Sequence, residues 1–249
     1  TLFIDDHPVE RAEMRQNFPS MRILHGYHYY WRKTILLASE TQVPFISEES
    51  LNRTETVRHR AERSVSLGSG PDREEFLKKL DIKVDLKPLM VSEEASLKRA
   101  FELLNKTNQF NTTARRWTFA ELLLFLAEGG RGIAFTVEDR ETAYGLVGVL
   151  LIKGSVIEQM VMSCRVFGLD IELGVIREVL SAFIPKSEGE RCRARWVPSA
   201  LNHLSTDTFP ALGFIKDGEW MVLQGEPKTE PAFHGTIRRS PLLDAMFRH

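Results

Sequence analysis

Residues 163–172, SCRVFGLDIE, decide how this chain is read. They follow an apolar run, VIEQMVM at 156–162, and lead into IELGVIREVLSAFI at 171–184, whose apolar residues recur at helical spacing. The order is strand, turn, helix, with Arg165 and Gly168 in the turn. The first amides of a helix have no partner within it, and the aligned peptide dipoles place about half a positive charge at that end. Arg-x-x-Gly at such a point either cradles an anion such as a phosphate or only turns the chain. Ten residues leave both readings open, and their surroundings give the context.

Outward from that turn the elements form a regular series. IKVDLKPL alternates as a strand, SEEASLKRAFELLNKT reads as a helix capped by Ser92, and TFAELLLFLAEGG as a second helix capped by Thr118 and ended by Gly129. RGIAFTVED, AYGLVGVLLIKG and VIEQMVMS read as three strands. After the turn and its helix come a strand at RCRARWV, a helix at ALNHLSTDTFPALGF and a strand at GEWMVL. From about residue 82 to 223 the expected order is β-α-α-β-β-β-α-β-α-β. Upstream, residues 1–25 read as a βαβ-like unit built from LFI, VERAEMRQNF and MRIL, and residues 26–81 as a connector. The connector holds the aromatic stretch HGYHYYW, better suited to packing than to base stacking, a charged helix over SEESLNRTETVRHRAERSVSL, and a Gly/Ser/Pro linker. The boundary is placed near 68–81, the main domain at 82–225, and a Pro-rich peripheral tail at 226–249.

Composition limits the function. Lys and Arg total 33 against 34 acids, a net charge of -1, so no global basic field argues for nucleic acid or a membrane surface. No apolar run approaches the ~20 residues that span a bilayer, and a cytoplasmic location is expected. Two cysteines, Cys164 and Cys192, are too few for a disulfide scaffold and lack metal-ligand spacing.

The series of elements resembles the GNAT acyltransferase fold, an α/β architecture. In that fold the strand ends at an Arg/Gln-x-x-Gly-x-Gly/Ala turn whose amides hold the coenzyme A pyrophosphate. Three stretches narrow the resemblance: LLNKTNQFNTTARRWT at 103–118, AYGLVGVLLI at 143–152 and MSCRVFGLDIE at 162–172 together look like the C-terminal half of FkbH-like proteins. FIDDHPVER at 3–11 is similar to the end of that family's haloacid-dehalogenase-like (HAD) half. The expected chain is therefore a partial HAD-like remnant, a helical connector and a GNAT-like domain. The family's aspartyl nucleophile motif, of D-x-D-x-T type, has no match in these 249 residues and is expected upstream, so phosphatase activity is not expected from this chain alone.

The resemblance implies transfer of a glyceryl group, from a phosphorylated three-carbon donor handled by the HAD half, to an acyl carrier protein in polyketide-type biosynthesis. The implied cofactor is the carrier's phosphopantetheine arm, with coenzyme A as a second possibility, and magnesium enters only with the missing HAD half. Asp5 and Asp6 are the implied metal ligands; two acids are a poor site for an ion that demands near-octahedral oxygens. Arg165 and Gly168 match the coenzyme-binding turn, but its second small residue is Asp170. A carboxylate there disfavours a diphosphate by about 1 kcal/mol even when hydrated. Two other readings stand beside carrier acylation: a non-catalytic GNAT-like module that docks the carrier, and a coenzyme A-dependent N-acetyltransferase, against which Asp170 argues.

Several residues are candidates on their own chemistry. Cys164, next to Arg165 and a helix start, is placed to be a thiolate nucleophile, or is a small packing residue at a strand end. Asn105, Thr107, Asn108, Gln109 and Asn111 supply dense neutral hydrogen-bonding groups that suit a polyhydroxylated acyl group, or cap helices and turns. Arg115 and Arg116 are candidates for a phosphate or carboxylate fork, or for a solvated face. Asn202 and His203 open the last expected helix, near where the GNAT resemblance implies groups that protonate the leaving thiol: Asn202 is an implied cofactor contact, and His203 an acid or base, or a surface residue at a helix start. Glu172 complements the helix dipole.

Overall fold

The computed structural model describes residues 2–24, 27–38, 71–183 and 191–247. It divides into two compact units, Thr1–Leu51 and Asn52–His249. In the first, β1 (Leu2–Ile4) pairs in parallel with β2 (Arg22–Leu24), and α1 (Pro8–Asn17) connects them as expected of a βαβ unit. Pro8 suits the first helical turn, where its missing amide is no loss. The aromatic stretch forms a second helix, α2 (His28–Leu37). The expected charged connector helix lies outside the described residues.

The second unit is one mixed sheet clothed on two faces. In chain order it contains α3 (Pro71–Lys79), β3 (Ile82–Pro88), α4 (Glu94–Lys106), α5 (Phe119–Ala127), β4 (Arg131–Glu138), β5 (Ala143–Lys153) and β6 (Val156–Met162). These are followed by α6 (Ile171–Phe183), β7 (Arg193–Arg195), α7 (Thr208–Ala211), β8 (Phe214–Asp217), β9 (Trp220–Leu223), β10 (Gly235–Arg239) and α8 (Pro241–Met246). The sheet runs β10-β3-β4-β5-β6-β7-β9-β8. From β3 to α7 the strands and helices follow the GNAT-like α/β order that the sequence implies, with β3 to β6 joined antiparallel and β6 crossing to a parallel β7 through α6, but two strands, β8 and β9, stand where the sequence reading has one.

Side-chain alternation explains the two faces. In β3, Ile82, Val84 and Leu86 are fully buried while the residues between them are not. These three face a core shared with Leu77 of α3, Ile176 and Val179 of α6, Phe209 of α7 and Leu243 of α8. On the other face Leu97, Leu103 and Leu104 of α4 and Leu122 of α5 pack on Ala134, Val149, Leu151 and Val161. Thr118 and Glu121 close a reciprocal capping box at the start of α5, and Gly129 follows it with φ 84°. The start of α4 differs from expectation: its N-cap is Glu93, not Ser92, and makes no side-chain cap bond.

Three further differences have local causes. Leu77 is buried in the main core, so α3 belongs to the larger unit, which extends back before residue 82. The expected last helix is broken into a 3₁₀ turn at His203–Ser205 and the short α7, because the Ser205 hydroxyl bonds to the Asn202 carbonyl and competes with a continuous helix. The tail, expected to be peripheral, supplies β10, which pairs in parallel with β3. Ile237 is its one apolar contact with the main core, and Arg238 forks onto Asp85 at 2.6 and 2.8 Å and reaches Glu138 at 3.2 Å.

The centre of the sheet leaves little room. A Cβ on Gly148 of β5 would stand 1.8 Å from the ring of Phe135, its cross-strand neighbour on β4. Gly148→Ala is therefore expected to destabilise the domain by about 3 kcal/mol, the upper part of the usual overpacking range. Denaturant unfolding reads this directly, and an unchanged midpoint would show that the ring moves aside at no cost.

Candidate functional site

The strand-turn-helix element is built as its sequence requires. β6 ends at Met162, the Ser163 hydroxyl accepts the Arg165 amide, and Cys164–Val166 form one 3₁₀ turn. Gly168 and Asp170 then take left-handed conformations, φ 80° and 56°, before α6 begins. Glycine does so freely; a non-glycine residue there bears a cost of order 1 kcal/mol or more. Asp170 is held by Arg73 of α3, whose guanidinium meets its carboxylate at 2.8 and 2.9 Å and also donates to the Gly168 carbonyl at 2.9 Å. The turn thus carries an anion of its own, bound by Arg73.

Two residues on, Glu172 is partly exposed as a residue, yet its Oε2 is fully covered and accepts no hydrogen bond. Burial pushes its carboxyl up to about 7; nearby Asp170 adds to the rise, while its own backbone amide and Arg73 oppose it. Arg165 lies within the 3₁₀ turn. Its side chain lies back on Ser163 Oγ at 3.2 Å and the Leu146 carbonyl at 3.4 Å.

The strands flanking the crossover helix α6 diverge. β6 and β7 pair only at Val156↔Arg193 and Ile157↔Ala194. The space beyond those two pairs is filled by main chain. Residues 110–112, from the segment after α4, run antiparallel to β6, with the Thr112 amide donating to the Met160 carbonyl at 3.0 Å and the Met162 amide to the Phe110 carbonyl at 3.1 Å. On the other side the Val197 amide donates to the Thr112 carbonyl at 2.8 Å. Phe110, Asn111 and Thr112 are all buried.

The amide-rich candidates hold this insertion. Asn111 Oδ1 accepts from Gln159 Nε2 at 2.7 Å and from the amides of Thr113 and Ala114, while its Nδ2 donates to the Thr107 carbonyl. Asn202, buried, donates to the carbonyls of Asn111 at 2.8 Å and Val197 at 2.9 Å. Asn105 accepts the Trp117 amide, and Arg116 gathers the carbonyls of Leu104 and Thr107 and the side chain of Asn108. Arg115 lies 3.6 Å over the Trp117 ring, and Gln109 is exposed. Asn105, Asn111 and Asn202 are thus linked through Trp117 and Gln159, while Arg116 joins the Thr107 carbonyl to the exposed Asn108.

The remaining candidates are scattered. Cys164 is half-buried in the 3₁₀ turn and its carbonyl accepts the Phe167 amide. The other thiol, Cys192, is pushed up to about 12 by burial. His203 is exposed at the start of its own 3₁₀ turn. In the first unit Asp5 Oδ1 accepts the His7 amide at 2.7 Å, and Arg11 donates to the main-chain carbonyls of Asp5 and Asp6. No group of three His, Cys, Asp or Glu residues able to hold a metal ion occurs among the described residues. The pair does not by itself fit magnesium.

The sequence reading missed Arg73, Gln159 and Trp117. Gln159 carried a signal: it is the polar residue buried in an otherwise apolar half-strand, QMVM, and buried amides must find partners. Arg73 carried none, since its partner lies 97 positions away.

No family model matches the chain, and no curated protein matches it. Among solved structures, the spermidine N-acetyltransferase from Vibrio cholerae, in complex with CoA and spermine, matches 56% of this chain and 91% of that one at 18% identity and a TM-score of 0.35. A likeness this slight adds no weight to what the sheet order shows. Among the described residues no helix is long and apolar enough to cross a membrane.

The network generates a prediction. Gln159 joins Trp117 Nε1, at 2.6 Å, to Asn111, so Gln159→Leu leaves an indole N–H and an amide oxygen buried without that partner. A loss of about 2–3 kcal/mol is expected, the cost of stranded buried polar groups. Tryptophan-detected unfolding measures it, with Gln109→Ala expected to be near neutral.

Proposed function

We propose that the GNAT-like domain is a recognition module for an acyl carrier protein, and that in this conformation it binds neither coenzyme A nor a threaded phosphopantetheine arm. The observation that carries the second part is the occupied divergence between β6 and β7, where Phe110 and Thr112 take the hydrogen bonds that an extended arm would need. The first part is supported by the sequence resemblance to FkbH-like proteins. In that reading the HAD half, with its nucleophile and magnesium, handles the phosphorylated three-carbon donor. The domain described here presents the carrier, and the setting is polyketide-type biosynthesis in the cytoplasm.

The residues of the turn do not fit the coenzyme either. A diphosphate would meet the Asp170 carboxylate, and displacing that carboxylate means breaking a forked arginine pair only partly exposed to solvent. No chemical step is therefore derived through a bound thiol. Cys164 and His203 are left without an assigned reaction.

Calorimetry on the chain with coenzyme A, and with one carrier protein in apo and holo forms, tests the proposal. Apo and holo carrier are expected to bind within about threefold of each other, with no heat from coenzyme A at millimolar concentration. A tenfold preference for the holo form, about 1.4 kcal/mol, or micromolar coenzyme A binding would show that the arm enters after all. Absence of any carrier binding ends the recognition reading. Asp170→Gly sharpens the result: with the strand insertion still in place, the variant is expected to remain unable to bind coenzyme A.

A further inference from the structure

The helix α5 carries more apolar surface than the sheet takes from it. Its sequence, FAELLLFLA, holds one polar residue among nine, Glu121, yet only Leu122 is fully buried. A helix apolar all round is normally covered all round. Here Leu124 is 57% exposed, and Phe119, edge-on to Phe101 of α4 at 5.4 Å, is 39% exposed. Met90 and Val91, 37% and 56% exposed, extend the patch at the other end of the helix. They follow Leu89, whose amide donates to the carbonyl of Gly132, close behind α5 in the chain. Together the four side chains expose roughly 350 Å², the size of apolar patch that on a single chain often marks an interaction site.

We propose that this face is where two copies of the chain meet, with α5 packed antiparallel on α5 of the second copy and Leu124 beside the two-fold axis. A contact of that kind needs a surface that complements itself when turned end for end. At about 100° per residue, Ala120 and Ala127 fall on the same side of Leu124, one turn before it and one turn after. An antiparallel copy therefore sets Ala120 against Ala127 twice, and the small residues leave room for the two Leu124 side chains to interlock. The other flank carries Glu121 and Glu128, each with a base beside it: Arg115 lies 3.8 Å from Glu121, and Lys153 lies 3.4 Å from Glu128. The same rotation brings Glu121 and Arg115 of one copy next to Glu128 and Lys153 of the other, so each end gathers two acids and two bases. A foreign partner would need a matching set of charges; a second copy has it by symmetry.

The size of the patch sets the strength. Two copies contribute roughly 700 Å² of apolar surface, which at the usual apolar share of ~60% corresponds to an interface of about 1,200 Å² in total, the lower limit of the standard range. With one leucine pair at its centre and exposed charges around it, such a dimer is expected to be weak, with a Kd on the order of 10 µM. The pairing does not depend on carrier recognition, and either idea can fail without the other.

Sedimentation of the whole chain over roughly 1–200 µM tests it. A monomer–dimer equilibrium is expected. Leu124→Arg is expected to raise its Kd at least tenfold, while leaving the melting temperature at about 1 µM, where the native chain is mostly monomeric, unchanged. The antiparallel arrangement is read by oxidation of cysteine variants. Ala120→Cys mixed with Ala127→Cys is expected to form the mixed disulfide at least fivefold faster than either variant links to itself, because the two copies of residue 120 stand about eight residue rises, ~12 Å, apart and beyond disulfide reach. The native protein, with Cys164 half-buried and Cys192 buried, is the background. A chain that stays monomeric at 200 µM, a dimer untouched by Leu124→Arg, or equal linking in the mixed and single samples each overturns the proposal.

Discussion

The domain is organised by an unmet demand at the outer edge of β6. Beyond Ile157 this strand has no neighbour in β7, so its buried main-chain groups must pair with something else. A buried unpaired peptide group costs on the order of 1–3 kcal/mol, and leaving Met160 and Met162 both unpaired would consume much of the net stability of an ordinary domain. Residues 110–112 answer that demand. Because they take hydrogen bonds on both sides, from β6 and from Val197, they act as a short internal strand tying the two halves of the sheet together. The polar network then follows as a consequence. A main-chain insertion at that depth has to be held by groups that are themselves satisfied, and Asn111, Gln159, Asn202 and Trp117 satisfy one another.

Much of this architecture is written locally and could be read without coordinates. The alternation of Ile82, Val84 and Leu86, the capping box of Thr118 and Glu121, and the apolar strand entering SCRVFGLDIE each encode their element within a few residues. What could not be read is carried by distant pairs. β10 pairs with β3 along five residues, sets Ile237 against the main core, and carries Arg238 onto Asp85 and Glu138 at separations of 153 and 100 residues. A charged, aperiodic pentapeptide gives no hydrophobic signal for a strand. The candidate site shows the same division: the Gly168 turn and the helix start are legible in the sequence, whereas Arg73, which pairs with Asp170 in that turn, is not. The amides from Asn105 to Asn111 stand out in the sequence for their density, but density does not tell an internal network from a ligand pocket. Only the direction of each donor does that.

The unequal covering of the sheet explains why the insertion comes from the segment after α4. The core cluster beneath α4 and α5 takes in β4, β5 and β6 but does not reach β7, β8 or β9. On that face the far half of the sheet is shielded by its own long side chains: Arg193 and Arg195 lie 5.0 and 4.6 Å over the Trp220 ring. Antiparallel strands tolerate water on one face, and arginine stems can cover an indole while keeping their charge solvated. Each such contact contributes only about 0.5–1 kcal/mol at an exposed site, too little to fix the position of β7 relative to β6. The other face buries Ala194 of β7 in one core with Ile157 and Met160 of β6, Arg195 meets Glu158 at 2.9 Å, and the chain that closes the divergence by main-chain pairing is the one leaving α4. A groove for an extended ligand needs its two walls held apart; this sequence joins them with a strand of its own, so continuity of the sheet and an open groove are alternative uses of the same hydrogen bonds.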